Sequence, residues 1–454
     1  MKVRVTVMKK IYLGEIFDGV DKNLIVSGVT TDSRKIFDGA LFVALKGEKF
    51  NGEDFVEESF NKGATAALVS KDFSREVTSG VVIKVDDTLA AYQKIAAYWR
   101  DKFNIPIIAI TGSTGKTTTK DLTAAVLSEL GKVLKTSANY NNEIGVPMTL
   151  LELDDSYKVA VIEIGMRGLG QISALAKIVK PDVAIITNVN ETHMELLGSM
   201  ENIAKAKGEL VQAIQSGGYV ILNEDNPYTP MMKKLVNPGV RIITHGIEKD
   251  AELKADNVVV SNGATDFDLT YKGKNYHFDL PIIGRHNVSN ALAAIAAGIT
   301  QGILYKKCQR GLLAFATTKM RFEIIRRDGI VIVNDAYNAS PASMCAAIKT
   351  SAEIYDTRKI AVLGDMFELG EIAEKAHREI GAYVAENGFE ILITVGKLAK
   401  FIAEGAKSAG MKNVFVTDTH EDAAKTLRGF LKYDDVILFK ASHGMHLEKV
   451  IDLI

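Results

Sequence analysis

Ile107-Ile108-Ala109-Ile110-Thr111-Gly112-Ser113-Thr114-Gly115-Lys116-Thr117-Thr118-Thr119 is the stretch that decides how this chain is read. An apolar, β-branched run enters a loop punctuated by glycines and closing on Gly-Lys-Thr. A helix-compatible stretch, Lys120 to Gly131, follows. Strand, loop, helix is the order a phosphate-binding loop requires. The glycines let the backbone curl until its N–H groups face one anion, and the helix N-terminus adds a favourable dipole. Lys116 offers a point charge to the β- and γ-phosphates, and the Thr117 hydroxyl can ligate Mg²⁺. Thr111, Gly112, Ser113, Thr114, Gly115, Lys116, Thr117 and Thr118 are therefore the nucleotide-binding candidates. The loop is not a general Walker A, because the first glycine of G-x-x-x-x-G-K-[ST] would fall at Ile110. The tighter form Gly112-x-x-Gly115-Lys116-Thr117 remains. The bland alternative is an ordinary glycine turn after a strand.

Outward from that loop, the composition is ordinary for a globular protein. Of 454 residues 47% are hydrophobic and 24% charged, with a formal net charge of −1. Such a balance gives no electrostatic case for nucleic acid or an anionic membrane as partner. Any anionic substrate must be held by local groups. The only cysteines, Cys308 and Cys345, lack a CxxC spacing. They make neither a disulfide framework nor a zinc site, and a reducing compartment fits. No apolar run reaches the ~18 residues of a membrane span, and no signal-like segment opens the chain. Cytoplasm is the expected location. Met8 is an alternative start, with Met1–Val7 as a short extension.

At about 150 residues per domain the length suggests roughly three domains. We expect an α/β chain throughout, divided at 1–103, 104–315 and 316–454. The first is a small α/β module, with short apolar runs at 39–45, 66–69 and 81–85 and a helix over Leu89–Phe103. The second is a mononucleotide-binding domain with a mostly parallel sheet. Its strands 106–111, 158–164, 182–187 and 219–222 are near-continuously apolar, as strands buried on both faces are. Residues 252–280 alternate and carry polar turns, which reads as an antiparallel insertion. A helix over Asn287–Gly298 closes that domain. The third begins near Thr317 and is a second doubly wound, Rossmann-like unit, with strands at 330–333, 359–363, 391–395, 414–416 and 436–439.

Four further sites bear on chemistry. Glu163 ends an apolar strand, where ligands of open α/β sheets bind. It can reach a metal near the phosphate loop, or it is a strand-end charge facing solvent. His193 lies on the loop past the next strand. It is a surface histidine, or beside Glu163 and Thr117 a metal ligand or the residue that orients one. Lys207 sits in a predicted helix that Ser199 can cap and Gly217-Gly218 can end. Met200, Ile203, Leu210, Val211 and Ile214 share one face of that helix, with Glu201, Lys205 and Gln212 opposite. Lys207 falls in the apolar face. There a lysine is costly unless neutralised, paired or modified, or else it snorkels to water. The fourth site joins the second and third domains. Asn287 and Asn290 occupy adjacent helical turns, and their amides can bond a purine edge. Arg321 can neutralise phosphate with its fork geometry. Asp335, at a strand end, can accept from ribose hydroxyls. The bland alternative for each is a surface polar residue, and singly these are weak signals.

Taken together, these segments resemble the Mur ligases over nearly the whole chain. In the first domain Thr31-Asp32-Ser33-Arg34, 41–48 and Asn51-Gly52-Glu53-Asp54-Phe55 are similar to the family's uridine-nucleotide segment. The middle domain contributes Thr111–Thr117, Asn139-Tyr140-Asn141-Asn142-Glu143-Ile144-Gly145-Val146-Pro147, Glu163-Ile164-Gly165-Met166 and Ala206-Lys207-Gly208-Glu209. The third carries Asp335–Pro341 and Leu363-Gly364-Asp365-Met366-Phe367-Glu368-Leu369-Gly370, followed by His377. That last segment looks like the members that add D-alanyl-D-alanine to UDP-N-acetylmuramoyl-tripeptide. The D-N-P-R motif of the diamino-acid-adding relative is missing.

The resemblance implies an ATP-dependent amide ligase of peptidoglycan precursor synthesis. It implies ATP and two Mg²⁺ ions, with Thr117 and Glu163 on the ATP-side ion and His193 and Lys207 serving the second. Lys207 would carry a CO₂-derived carbamate. Lys116, Lys207, His193 and Arg321 would be catalytic. Asn287, Asn290, Arg321 and Asp335 would complete the nucleotide site. Thr31, Asp32, Ser33, Arg34, Lys46, Asn141, Asn142, Asp365 and Met366 would meet the substrates. The first domain would bind the UDP-linked substrate, and the third would bind the dipeptide and close on ATP. A monomer is expected, with small-molecule partners only.

This chain departs from the pattern at Lys440-Ala441-Ser442-His443-Gly444-Met445-His446-Leu447-Glu448. The family usually shows Lys-Gly-Ser-Arg there, so an imidazole at His443 replaces a guanidinium. The alternatives are another amide ligase of the superfamily, such as a folylpolyglutamate synthase, and a nucleotide-binding switch that does not ligate.

Overall fold

A computed structural model describes residues 10–47, 50–261, 263–315 and 319–454. The alternative start at Met8 and the expected third-domain start near Thr317 lie outside the described residues. The chain is α/β, and it divides into two compact units. One comprises 1–109, 130–165 and 171–183, and the other 110–129, 166–170 and 184–454.

In the first unit four parallel strands, Gly28–Thr30, Ala40–Val43, Ala64–Ser70 and Val81–Val85, pair in that order. Phe42, Val43, Leu68 and Val69 are buried, as a parallel sheet covered on both faces requires. The helix Thr88–Arg100 starts where Asp87 accepts from Leu89 N at 2.8 Å and Ala90 N at 3.0 Å. A side-chain oxygen there satisfies N–H groups that have no intrahelical partner. Trp99 Nε1 donates to Leu153 O at 3.0 Å, and Arg100 Nε to Val179 O at 3.0 Å. These bonds fix the helix against residues of the same unit. The strand Tyr157–Glu163 runs parallel to Lys132–Lys135.

The strand Ile107–Thr111 is buried along its whole length. Within the first unit, Ala160 N donates to Pro106 O at 3.0 Å and Asp182 N to Ile107 O at 2.9 Å, so both its edges are taken. A strand enclosed on both faces and both edges has no use for polar side chains, which is why the run is apolar.

In the second unit Tyr219–Asn223, Arg241–Gly246 and Leu253–Val260 pair in parallel. Leu253–Val260, Thr265–Tyr271 and Lys274–Leu280 then run antiparallel. The expected antiparallel insertion is thus an extension of the sheet rather than a separate ribbon. The helix Arg285–Thr300 is longer at both ends than its expected span, and its alanine-rich body is buried.

The last sheet has the order 323–327, 330–334, 436–440, 359–364, 391–395, 413–417. All its pairs are parallel except the first. The edge strand Glu323–Arg327 was not expected. The turn Asp328-Gly329, with φ 52 and 80, folds it back on Ile330–Asn334. Helices Ala373–Glu386 and Ala399–Ser408 approach closely at Gly381 and Gly405. A Cβ on Gly381 would collide with Ile402 O, and one on Gly405 with Arg378 O.

One buried group stands apart from any chemistry. His245, on Arg241–Gly246, is 1% exposed, and neither ring nitrogen has a hydrogen-bond partner. Burial pushes its pKa down to about 4, against a weak opposing pull from Asp225. The native ring therefore stays neutral while the unfolded ring takes a proton near the ordinary histidine value of 6.5. Stability is full above that pH and is lost as pH falls toward about 4, by something on the order of 2–3 kcal/mol. Thermal melts of wild type and His245→Phe between pH 7 and 4.5 should show a shallower acid decline in the variant. Parallel declines would refute the assignment.

Candidate functional site

The helix after the phosphate loop begins at Lys116, not at Lys120, and ends at Leu127. Its N-terminus therefore opens directly on the loop, which strengthens the dipole argument. Gly115 is its N-cap in the left-handed region, φ 77. A Cβ on Gly115 would lie 2.5 Å from Asn290 Oδ1, and one on Gly112, φ 152, would collide with Thr187 Oγ1. Only glycine fits either position. The loop is also buttressed from the segment 187–192, which sequence reasoning did not single out. Thr114 N donates to Asn188 Oδ1 at 2.9 Å, Ser113 N to Asn188 O at 3.0 Å, and Thr187 Oγ1 to Thr114 O at 2.6 Å. Lys116 Nζ folds back on the loop, 2.8 Å from Gly112 O and 3.3 Å from Ser113 O.

Arg321 comes from the third sheet's side of the chain and meets this loop. Its Nη2 donates to Thr117 Oγ1 at 3.0 Å, and its guanidinium lies 4.0 Å over the Tyr337 ring. Thr111 and Thr117 are buried. Asn287 and Asn290 are brought together as expected, and both are buried. Thr119 Oγ1 donates to Asn290 Oδ1 at 3.1 Å, Asn290 Nδ2 to Asn287 Oδ1 at 3.0 Å, and Asn287 Nδ2 to Ile283 O at 2.8 Å. This amide relay ties helix Arg285–Thr300 to the phosphate-loop helix. Asp335 accepts from Phe322 N at 3.0 Å and from Lys440 Nζ at 2.5 Å.

Ser199 caps the helix Met200–Ala213, accepting from Asn202 N at 3.2 Å. The helix stops before Ile214, earlier than Gly217-Gly218. Ile203, Leu210, Val211 and Ile214 of its apolar face are buried, Met200 is half-buried, and Lys207 is 2% exposed among them. The amine does not snorkel. Burial, and secondarily the Lys116 charge, hold its pKa well below the ordinary lysine value. His193 takes a left-handed backbone, φ 57, and its Nδ1 lies 2.5 Å from Glu368 Oε2. That contact, first, lowers the Glu368 carboxyl. Glu195 N donates to Glu368 O at 3.2 Å in the same place.

In the first unit, Glu163 is 2% exposed, so the solvent-facing alternative fails. Its Oε1 accepts from Asn141 Nδ2 at 2.7 Å, which orients the carboxylate. Asn142 Oδ1 accepts from Gly145 N at 2.8 Å and starts a short helix. Asp32 caps the turn Ser33–Lys35 and holds Arg34 through two oxygens at 2.8 and 2.9 Å. The Arg34 hydrogen bond, first among its causes, brings Asp32 to about 2. Thr31 is half-buried, and Lys46 is exposed beside its bridge to Asn51.

Asp365 and Met366 are buried. Asp365 Oδ1 accepts from Leu398 N at 3.0 Å and Ala399 N at 2.7 Å, at the start of helix Ala399–Ser408. Met366 N donates to His377 Nε2 at 3.0 Å. Phe367, not singled out from the sequence, is an exposed large apolar residue of that segment. Among the described residues no cluster of three or more His, Cys, Asp or Glu side chains is assembled. No described helix is long and apolar enough to cross a membrane.

The phosphate loop and the last, mostly parallel sheet describe a nucleotide-binding α/β protein, and comparison makes the class specific. Residues 25–100 match the Mur ligase family catalytic domain, 110–298 the Mur ligase middle domain, and 320–443 the Mur ligase glutamate ligase domain. The chain belongs to the Mur ligase family. A Bacillus subtilis relative, named UDP-N-acetylmuramoyl-tripeptide–D-alanyl-D-alanine ligase, is 41% identical over 95% of this chain and 93% of its own. The crystal structure of MurF from Acinetobacter baumannii is 31% identical, with a TM-score of 0.88 over 95% of this chain and 94% of that one. MurF ligase from Thermotoga maritima, solved in complex with ADP, is 27% identical, with a TM-score of 0.84 over 94% and 96%. As in that family, the enzyme is an ATP-dependent ligase.

Gly112→Ala should destabilise the protein by about 1–3 kcal/mol, because the loop must leave Thr187 to admit the methyl group. Denaturant unfolding with a matched surface Gly→Ala control measures this. An unchanged midpoint would mean that the close approach is not a constraint.

Proposed function

We propose that this protein is a cytoplasmic, monomeric ligase that joins D-alanyl-D-alanine to the terminal carboxylate of UDP-N-acetylmuramoyl-tripeptide. The carboxylate oxygen attacks the γ-phosphorus of ATP, giving an acyl phosphate and ADP. The dipeptide amine then attacks the acyl carbon, loses a proton, and the tetrahedral intermediate expels inorganic phosphate. The names of full-length relatives from several bacteria support this choice of substrates. In this reading the first domain, 1–103, takes the uridine nucleotide through Thr31–Arg34 and Lys46. The middle domain, 104–315, holds ATP, and the third, 316–454, receives the dipeptide near Asp365 and Met366.

The physical difficulty is bringing a carboxylate to a triphosphate. Lys116, on the loop carbonyls, and Arg321, on the Thr117 hydroxyl, would offset the repulsion. Lys116 would move from the loop carbonyls to phosphate oxygens. Arg321 would give its fork to the transferring group. The backbone N–H groups of 112–117 would cradle the remaining oxygens. The donor set fits Mg²⁺, which takes few protein oxygens and completes its shell with phosphate and water. On the family resemblance, the Thr117 hydroxyl would hold one ion, with Glu163 as the family's second ligand to it, and His193 and Lys207 would serve another. Bound there, Mg²⁺ supplies charge neutralisation for the transferring phosphoryl group.

The observation that carries the reading furthest is Lys207. Burial and the Lys116 charge hold the Lys207 pKa well below the ordinary lysine value, which favours the neutral amine, and a neutral amine can add CO₂ with loss of a proton. The carbamate would put an anionic oxygen donor where burial disfavours a cation.

Phosphate release should require ATP together with both UDP-N-acetylmuramoyl-tripeptide and D-alanyl-D-alanine, with the pentapeptide product seen by mass spectrometry. Release independent of both substrates would overturn the ligase reading. Lys207→Ala should lower kcat by about 10²–10³-fold, the scale of losing one electrostatic element. Wild type exposed to ¹³CO₂ should show a carbamate carbon that the variant lacks. Full activity in Lys207→Ala would remove the carbamate from the mechanism.

A further inference from the structure

Arg321 lies between two strained residues. Met320 at φ 60 and Phe322 at φ 51 are both left-handed, and neither is glycine. Such conformations persist only where the surroundings over-determine them, and they gather at functional sites. Here the surroundings come from two neighbouring strand ends. Asp335, just past Ile330–Asn334, holds Phe322 N at 3.0 Å. Lys440 closes the adjacent strand, is 3% exposed, and pins Asp335 at 2.5 Å while donating to Asn338 O at 3.0 Å. Tyr337 N donates to Met320 O at 3.2 Å, and Met320 N to Glu323 Oε2 at 2.9 Å. The backbone on both sides of Arg321 is therefore fixed, and the side chain needs only one more constraint.

Tyr337 supplies it. The guanidinium carbon is 4.0 Å from the ring centroid. Arg321 Nε is buried without a hydrogen-bond partner, so the ring face is the contact that orients this end of the fork. His443 stacks on the same tyrosine, with centroids 5.2 Å apart and planes at 23°. A carboxylate in Tyr337's place would orient the guanidinium equally well but would cancel its charge. A π face attracts the cation electrostatically and leaves it a net cation. That is the property a phosphate-directed arginine needs.

We infer that Tyr337 is the positioning residue for Arg321, with His443 stacked on the same ring. The inference rests on the ligase reading above. The test is a double-mutant cycle on the full-length protein with both substrates, reading kcat and KM for ATP. Tyr337→Leu should lower kcat by about 3–30-fold, with KM for ATP changed by less than about twofold. Tyr337→Phe, which keeps the ring face, should remain near wild type. In an Arg321→Ala background, Tyr337→Leu should cost no more than about twofold further. Folding is checked by thermal melting, and if Tyr337→Leu does not fold, Tyr337→Met replaces it in the cycle. Additive losses overturn the inference. So does a Phe variant as damaged as Leu, or a rise in KM for ATP at constant kcat, which would make the ring a nucleotide contact instead. Product from wild type with any of these outcomes sinks the positioning role alone. Absence of product from wild type sinks the ligase reading, and this inference with it.

Discussion

The hydrogen bond from Arg321 Nη2 to Thr117 Oγ1, 3.0 Å long, is the interaction on which the arrangement of the site depends. Thr117 is the second residue of the phosphate-loop helix, and Arg321 belongs to the loop leading into the last sheet. One short contact therefore brings the third domain's cation to the helix N-terminus. Each partner arrives there for its own reason. Thr117 is placed by an apolar strand that must be buried and by two glycines that alone fit the turn. Arg321 is placed by strand ends that hold an otherwise unfavourable loop.

The same logic explains the polar residues that are not reactive. Asn287, Asn290 and Thr119 form a relay that fixes one helix against another. Asn141 orients Glu163, Asp365 accepts from N–H groups at the start of a helix, and Asp335 holds the Arg321 loop. Polar groups this deep would be costly if unpaired, so each is bonded. Several of them were read from the sequence as ligand contacts. Their structural work does not exclude that, since a carboxylate oxygen or an amide has further bonding capacity. It does mean that substituting them would disturb positioning as well as binding.

Much of this was legible in the sequence, for identifiable reasons. Strands enclosed on both faces must be apolar, so Ile107–Thr111, Ile391–Val395 and their neighbours could be found to within a residue or so. The face of helix Met200–Ala213 could be drawn from its period, and Lys207 stood out because it violated that period. The burial of Lys207 then decided what the pattern left even. What escaped detection depends on distant residues or on turn chemistry. Asp328-Gly329 is a hairpin signal between two apolar runs, and giving it weight would have revealed the edge strand Glu323–Arg327. The start of the phosphate-loop helix was placed late because Lys116–Thr119 carries no apolar periodicity. Tyr337 and Lys440 gave no local signal, since their significance exists only once Arg321 lies beside them.

The contacts made by the cations suggest why the site can be both ordered and responsive. Lys116 rests on carbonyls of its own loop, and Arg321 on a hydroxyl and a ring. Neither rests on a carboxylate in these contacts. Hydrogen bonds between a cation and a neutral acceptor are weaker than those to an anionic oxygen, which are roughly twice as strong as neutral pairs. An arriving phosphate therefore offers each cation a better partner than the one it leaves, and the exchange requires only side-chain motion. Had a carboxylate held Arg321, binding would first have to break an ion pair already desolvated, at a cost close to the gain. A hydroxyl and a ring face are uncharged partners, and they leave the Arg321 charge available to an incoming anion.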